Sequence, residues 1–341
     1  MTDRVLLQQA FIAQTDWADA IIAPLAGDAS NRRYLRLTRA ATGETAVLMD
    51  APPEKGEDVR PFLHIARYLT GLGLSAPRIL AEDTENGFLI LEDLGDALFA
   101  RVIPKDANLE LPLYTAATDL LAELHRHAPP PNLAAYSPGV MADMAALAFD
   151  WYLLGATGDI GAQRGTFHAA IKTSLSTHAS ETNVLIQRDY HAENLLWLGD
   201  RAGVARVGLL DFQDAMLGHP AYDLVSILQD ARRDVPPAIE QAMIARYIDK
   251  SGADPETFET AYRCLGAQRN LRILGVFARL CMRDGKAHYV DLIPRVWAHL
   301  GHDLSHPAMA PVAEIARAVL PPPTPTILQR LKDLCASKPT R

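Results

Sequence analysis

Gln187-Arg188-Asp189-Tyr190-His191-Ala192-Glu193-Asn194 and, further along, Leu209-Leu210-Asp211-Phe212 form the stretch on which the fold turns. Three apolar runs, Val184 to Ile186, Leu195 to Leu198 and Val207 to Leu210, alternate there with polar or Gly-containing turns. The alternation predicts short strands with polar motifs at their ends. Asp189 and Asn194 share one loop, and Asp211 stands at the end of the strand pair that follows. Phosphoryl transfer asks for this set: a carboxylate beside the attacking hydroxyl, and oxygen ligands that hold a metal ion against the phosphates. Asp189 is then the expected proton acceptor, Asn194 and Asp211 the expected Mg2+ ligands, and ATP the donor. Singly, such residues are common as turn formers and helix caps, so the joint pattern carries the reading.

Around this stretch the chain divides by character. From Ile21 to Leu94 the turn residues Gly, Pro, Asn and Asp separate five expected strands, Ile21 to Leu25, Arg33 to Thr38, Thr45 to Met49, Arg78 to Glu82 and Phe88 to Leu91. One helix interrupts them, Glu57 to Leu72, where Val59, Phe62, Ile65, Ala66 and Leu69 recur at helical spacing. After Gly95 long amphipathic helices take over, among them Leu109 to His127, Met141 to Leu154, Pro237 to Ile248 and Pro255 to Met282. The expectation is an α+β chain of two lobes: residues 1–94 as a small antiparallel-sheet lobe with one helix, and residues 95–341 as a larger, mostly helical lobe. A length of 341 residues fits two lobes better than a single core.

Composition removes several classes of function. With 33 basic against 41 acidic residues the formal charge is -8, which argues against a general nucleic-acid binder. No apolar run approaches the ~20 residues needed to cross a bilayer, and the first residues lack the long apolar core and cleavage site of a secretion signal. Cys264, Cys281 and Cys335 are too scattered for a disulfide framework or a CxxC site. A reducing cytoplasm is the expected location.

With Leu209-Leu210-Asp211-Phe212 and Gly218-His219-Pro220 ahead of Asp223-Leu224, the catalytic-loop spacing resembles the aminoglycoside phosphotransferase and choline-kinase superfamily, whose fold is similar to that of protein kinases. The resemblance covers essentially the whole chain. Asp223, flanked by Tyr222, Leu224 and Val225, reads as a buried support of the loop at Arg188 rather than a reacting group. His191 reads as a loop-ordering or substrate hydrogen bond, since no other His or Cys stands beside it at ligand spacing.

On the nucleotide side the resemblance implies a hairpin over the triphosphate at Gly27 to Tyr34, with phosphate contacts near Ser30 and Asn31 and from an arginine, Arg32 or Arg33. The third strand should carry a lysine against the α and β phosphates and has Met49 instead. Either one of those arginines replaces the lysine, or nucleotide is held differently, or catalysis is absent. No acidic partner for such a lysine stands out on the following helix, where Glu57 and Asp58 lie at the very start. Leu91-Glu92-Asp93-Leu94-Gly95 resembles the hinge that pairs with adenine, which marks Glu92 and Leu94.

Met49-Asp50-Ala51-Pro52-Pro53, Asp211-Phe212-Gln213-Asp214-Ala215 and the helix from Gln268 to Leu280 narrow the resemblance to the bacterial N-acetylmuramate and N-acetylglucosamine anomeric kinases of cell-wall recycling. That family shares Met in place of Lys, and Gln187 departs from its usual His. Asp214, His191, Arg269 and Arg272 are the implied acceptor contacts. An arginine suits the carboxylate of N-acetylmuramate, whereas a polycationic aminoglycoside would favour carboxylates. The alternatives are another small-alcohol kinase, for an aminoglycoside, choline or homoserine, and a non-catalytic nucleotide-binding module.

Overall fold

The computed structural model describes residues 2–25 and 31–338. By their contacts the residues fall into two compact units, Met1–Leu120 with Ala192–Ala215, and Leu121–His191 with Met216–Arg341.

The first unit is built on a five-stranded antiparallel sheet of order β1-β2-β3-β5-β4, with β1 Ala20–Pro24, β2 Arg33–Arg39, β3 Thr45–Asp50, β4 Ile79–Asp83 and β5 Phe88–Glu92. Strand alternation sends Leu35, Leu37, Ala46, Leu48, Phe88 and Ile90 to one face, where Phe11, Ile12 and Trp17 pack against them. Phe11 and Ile12 belong to helix α1, Thr2–Ala13. This helix is additional to the one expected in the small lobe. Its apolar residues do not share a face, since Val5, Leu6 and Leu7 are exposed while Phe11 and Ile12 are buried, and so the helical period is hidden. Arg4 ties α1 to the sheet: its Nε and Nη2 donate to Asp50 Oδ1 at 2.9 and 2.6 Å, and its guanidinium lies 4.0 Å from the centre of the Phe88 ring.

Helix α2, Arg60–Gly71, buries Phe62, Leu63, Ile65, Ala66 and Leu69, and Phe62 stacks on Phe212 with ring centres 4.9 Å apart. The turn between β4 and β5 requires Gly87, whose φ is +70° and whose added Cβ would fall 2.0 Å from the Ala51 carbonyl oxygen. Helix α3 is Phe99–Val102, and α4, Glu110–Leu124, carries the chain out of this unit. A two-stranded ribbon returns to it later, formed by β7 Leu195–Trp197 and β8 Val207–Leu209.

The second unit is helical: α5 Pro138–Ala145, α6 Leu154–Thr157, α7 Arg164–His178, α8 Ala221–Leu228, α9 Pro237–Ser251, α10 Pro255–Met282, α11 Ile293–Asp303, α12 Ala310–Val319 and α13 Pro325–Asp333. The short strands β6, Val184–Ile186, and β9, Met216–Gly218, pair within it. The helix expected over Met141 to Leu154 is instead α5, a π-helical turn over Ala148–Leu153, and α6. Within that turn Phe149 is core, packed on Phe167 with ring centres 4.6 Å apart.

Helix α10 starts on an Asp254 cap, whose carboxylate accepts from Thr257 N–H at 2.9 Å, with Pro255 in its first turn. Gly275 lets it cross the π turn, because a Cβ there would stand 2.3 Å from the Leu147 carbonyl oxygen. Beside α10, fully buried Asp303 accepts from Gln229 Nε2 (3.0 Å), Asn270 Nδ2 (3.1 Å) and Arg263 Nη1 (3.4 Å). A Cβ on Gly266 would meet its Oδ2 at 2.4 Å.

The protein-kinase-like class, an antiparallel-sheet part followed by a mostly helical one, is the class found. Among the described residues no helix is long and apolar enough to cross a membrane, and the three cysteines are free.

Candidate active site

In the second unit the loop that begins at Gln187 hangs from β6 and is held by α8. Asp223, in the first turn of α8 and fully buried, accepts the backbone N–H of Gln187 on Oδ2 at 2.6 Å and that of Arg188 on Oδ1 at 2.9 Å. Arg188 needs this support, because its φ of 71° lies in the left-handed region that side chains other than glycine rarely adopt. Burial pushes the Asp223 pKa up to about 7, against the two N–H donors that favour its charged form. The Arg188 guanidinium lies 5.5 Å from the Tyr136 ring centre, and Tyr136 meets Tyr222 edge-on at 5.1 Å.

Asp189 follows directly. Burial works to raise its pKa, but the charges of Arg272, Arg188 and Arg269, joined at acid pH by His191, outweigh that and hold it below the usual carboxylate range. An ionised carboxylate ready to accept a proton is the result. His191 is lowered to about 4, by burial and by the charge of Arg232, so near neutral pH it is an uncharged hydrogen-bonding ring. Arg269 and Arg272 project from α10. Arg269, 3% exposed, gives Nη1 to the Gln229 carbonyl at 3.3 Å. Arg272 works against burial too, yet Tyr222, Tyr136 and Asp189 raise its pKa and keep it charged.

The first unit brings Asn194 and Asp211 together by register. Leu195 pairs with Leu209 in the β7–β8 ribbon, so the residues flanking that pair meet at its end, where Leu210 N–H donates to the Asn194 carbonyl at 3.0 Å. Asn194 Nδ2 then lies 3.4 Å from Asp211 Oδ2, and Gln213 Nε2 donates to Asp211 Oδ1 at 2.6 Å. Asp211 is the second left-handed residue of the region, φ 57°, and Phe212 beyond it is fully buried under Phe62. A carboxylate and an amide oxygen form a hard donor pair that suits Mg2+, which usually keeps phosphate and water as its remaining ligands. The amide must present its oxygen for that, a half-turn from the arrangement just described.

The nucleotide candidates also belong to the first unit, except that Ser30 lies outside the described residues. Asn31 N–H donates to Glu57 Oε1 at 3.1 Å and Arg32 Nε to Glu57 Oε2 at 2.9 Å. Arg33 pairs instead with Asp50, Nη2 to Oδ2 at 3.2 Å. Met49 is 1% exposed. Glu92 is engaged by Arg78 at 3.2 Å and by Arg201 at 2.8 Å, Leu94 is buried, and Asp214 is exposed. Sequence reasoning passed over Glu57 as a partner, along with Arg4, Arg201 and Gln213. Of these Gln213, two residues from Asp211, and Glu57, at the start of the expected helix, had a local signal.

A sheet with its helix, a ribbon that ends in an Asn and Asp pair, and a strained loop braced by a buried Asp define a kinase-fold phosphotransferase. Residues 21–259 match the model of the APH family, the phosphotransferase enzyme family, and the chain belongs to that family. Two relatives extend over nearly its full length. The N-acetylmuramate/N-acetylglucosamine kinase of Caulobacter vibrioides is 38% identical over 91% of this chain and 94% of its own. The protein of the same name from Pseudomonas aeruginosa is 34% identical over 91% and 92%. Among solved structures, the GDP complex of aminoglycoside 2'-phosphotransferase-IIIa superposes with a TM-score of 0.58 at 14% identity, over 88% of this chain and 98% of that one, a likeness of fold.

Proposed function

We propose that the protein transfers the γ-phosphoryl group of ATP to the anomeric hydroxyl of N-acetylmuramate or N-acetylglucosamine. The observation that carries this reading is the pair of near-full-length relatives of that name. In support, Asp189 stands ionised among arginines that suit an anionic acceptor. In this scheme Asp189 takes the hydroxyl proton, the sugar oxygen bonds to the γ phosphorus, and the bond to the β–γ bridging oxygen breaks to release ADP. Mg2+, held by Asn194 and Asp211, would offset the charge that develops on the phosphates. Arg188 and Asp223 keep the loop in shape, and His191, Asp214, Arg269 and Arg272 are assigned to the acceptor. Ser30, Asn31, one of Arg32 and Arg33, Met49, Glu92 and Leu94 are assigned to the nucleotide, with residues 1–94 as the nucleotide side and 95–341 as the acceptor side. ATP as donor and three free thiols fit a cytoplasmic location.

The test is product analysis. Purified protein with ATP and Mg2+ is offered N-acetylmuramate, N-acetylglucosamine, choline, homoserine and an aminoglycoside, and phosphorus and proton NMR locate the phosphate. A sugar 1-phosphate is expected. No turnover of either amino sugar overturns the reading.

A further inference from the structure

We propose that Arg32, positioned by Glu57, binds the α and β phosphates of the nucleotide where related kinases use a strand lysine, an inference that rests on the kinase reading above. Arg32, Arg33 and Lys55 are the candidates for the charge that Met49 does not supply. Sheet register separates them. Tyr34 is paired with Met49, and Arg33 with Asp50, and residues opposite one another across a ladder share a face. Asp50 shares the face of Leu48 and Ala46, the one packed by α1. There its carboxylate already binds both Arg4 and Arg33. Arg33 is therefore committed to the face away from Met49.

Arg32 precedes β2 by one residue and continues the alternation of Tyr34, so it falls on the Met49 face. Tyr34 and Glu57 both act on its guanidinium, which fits that side. Its side chain is 12% exposed, as is that of Glu57, whereas that of Arg33 is 58% exposed. Glu57 spends one oxygen on Arg32 Nε and the other on Asn31 N–H. One carboxylate thus fixes the plane of the guanidinium and fastens the backbone just ahead of β2 to the approach of α2. An acidic residue at the α2 side does the same for the lysine in lysine-bearing kinases, where the pair must be in place for catalysis. A planar guanidinium also meets phosphate oxygens two at a time, which a lysine does not. Lys55 is exposed, and what it offers Asn31 is only its backbone carbonyl, 3.3 Å from Asn31 Nδ2.

The experiment compares two ligands that differ only in phosphate. Calorimetric affinities for ADP with Mg2+ and for adenosine are measured on the full chain and on Arg32→Met, Glu57→Gln, the double variant, Arg33→Met and Lys55→Met. Arg32→Met is expected to weaken ADP roughly ten- to hundred-fold, the range for a charged hydrogen bond, and to leave adenosine unchanged. Unchanged adenosine binding also shows that the variant is folded. Glu57→Gln is expected to weaken ADP less, and the double variant to be no worse than Arg32→Met, the signature of two residues that act as one. ADP affinity kept in Arg32→Met, or a larger loss in Arg33→Met or Lys55→Met, overturns the proposal. If the full chain phosphorylates no amino sugar while Arg32→Met still loses ADP selectively, the acceptor assignment fails and the role of Arg32 stands.

Discussion

Replacing Asp211 separates what its backbone costs from what its carboxylate does. Its φ of 57° is left-handed, a region that costs most residues about 1–2 kcal/mol and that Asn and Asp tolerate better. The carboxylate accepts from Gln213 Nε2 at 2.6 Å and from Asn194 Nδ2 at 3.4 Å, each worth about 1 kcal/mol net. Asp211→Asn keeps the tolerated backbone and one acceptor, so its loss of stability should be about 1 kcal/mol or less. Asp211→Ala loses both acceptors and adds backbone strain, about 3 kcal/mol in all. Asp211→Gly also loses both but relieves the strain, at about 2 kcal/mol. Melting temperatures should therefore fall in the order Asn, Gly, Ala. Turnover should not follow that order. If Asp211 holds the metal ion, all three variants lose several kcal/mol of transition-state stabilisation, roughly a thousandfold in kcat. Calorimetric melting and a coupled assay of ADP release, with Mg2+ titrated, measure the two effects. An Asn variant within tenfold of the parent kcat, or an Ala variant as stable as the Gly variant, refutes the reasoning.

Asp189→Asn should lower kcat by orders of magnitude while ADP affinity stays within about twofold, a split read from steady-state kinetics and calorimetry. Arg272 is the largest of the charges that hold the Asp189 pKa below its usual range, and a base that must be ionised loses activity as pH falls through its pKa. Arg272→Met should accordingly move the acid limb of kcat/KM to higher pH, and a limb that stays put or moves down counts against Asp189 as the base. Gly275→Ala should destabilise by about 3 kcal/mol, because the new Cβ falls 2.3 Å from a backbone oxygen that cannot rotate away. Chemical denaturation followed by the tryptophan signal checks this.

What the amino-acid sequence disclosed follows the range of the interactions concerned. The five strands of the first unit could be read because Gly, Pro, Asn and Asp turn residues separate their short apolar runs. Helix α1 could not, since most of its apolar side chains face solvent and its hold on the sheet runs from Arg4 to Asp50, 46 positions away. The π turn at Ala148–Leu153 carries the same apolar spacing as the helix on either side and reads as one with it. At the candidate site, Asp189, Asn194 and Asp211 stand out by local spacing. The β7–β8 register that sets Asn194 and Asp211 3.4 Å apart is a tertiary fact. So is the pairing of Arg32 with Glu57, 25 residues on: Glu57 was visible at the start of a helix, but nothing nearby named its partner.

Gly266 and Asp303 bear on how this protein can change over generations. An alanine at 266 collides with the carboxylate at 303, so the smaller residue must stay for as long as the acid does. Removing the acid first takes from Gln229, Asn270 and Arg263 the buried acceptor that they share. Either single step passes through a weakened ancestor. Drift at these two positions is therefore contingent, open only to lineages with stability to spare or with both changes at once, and a descendant that lacks one member of the pair should lack the other.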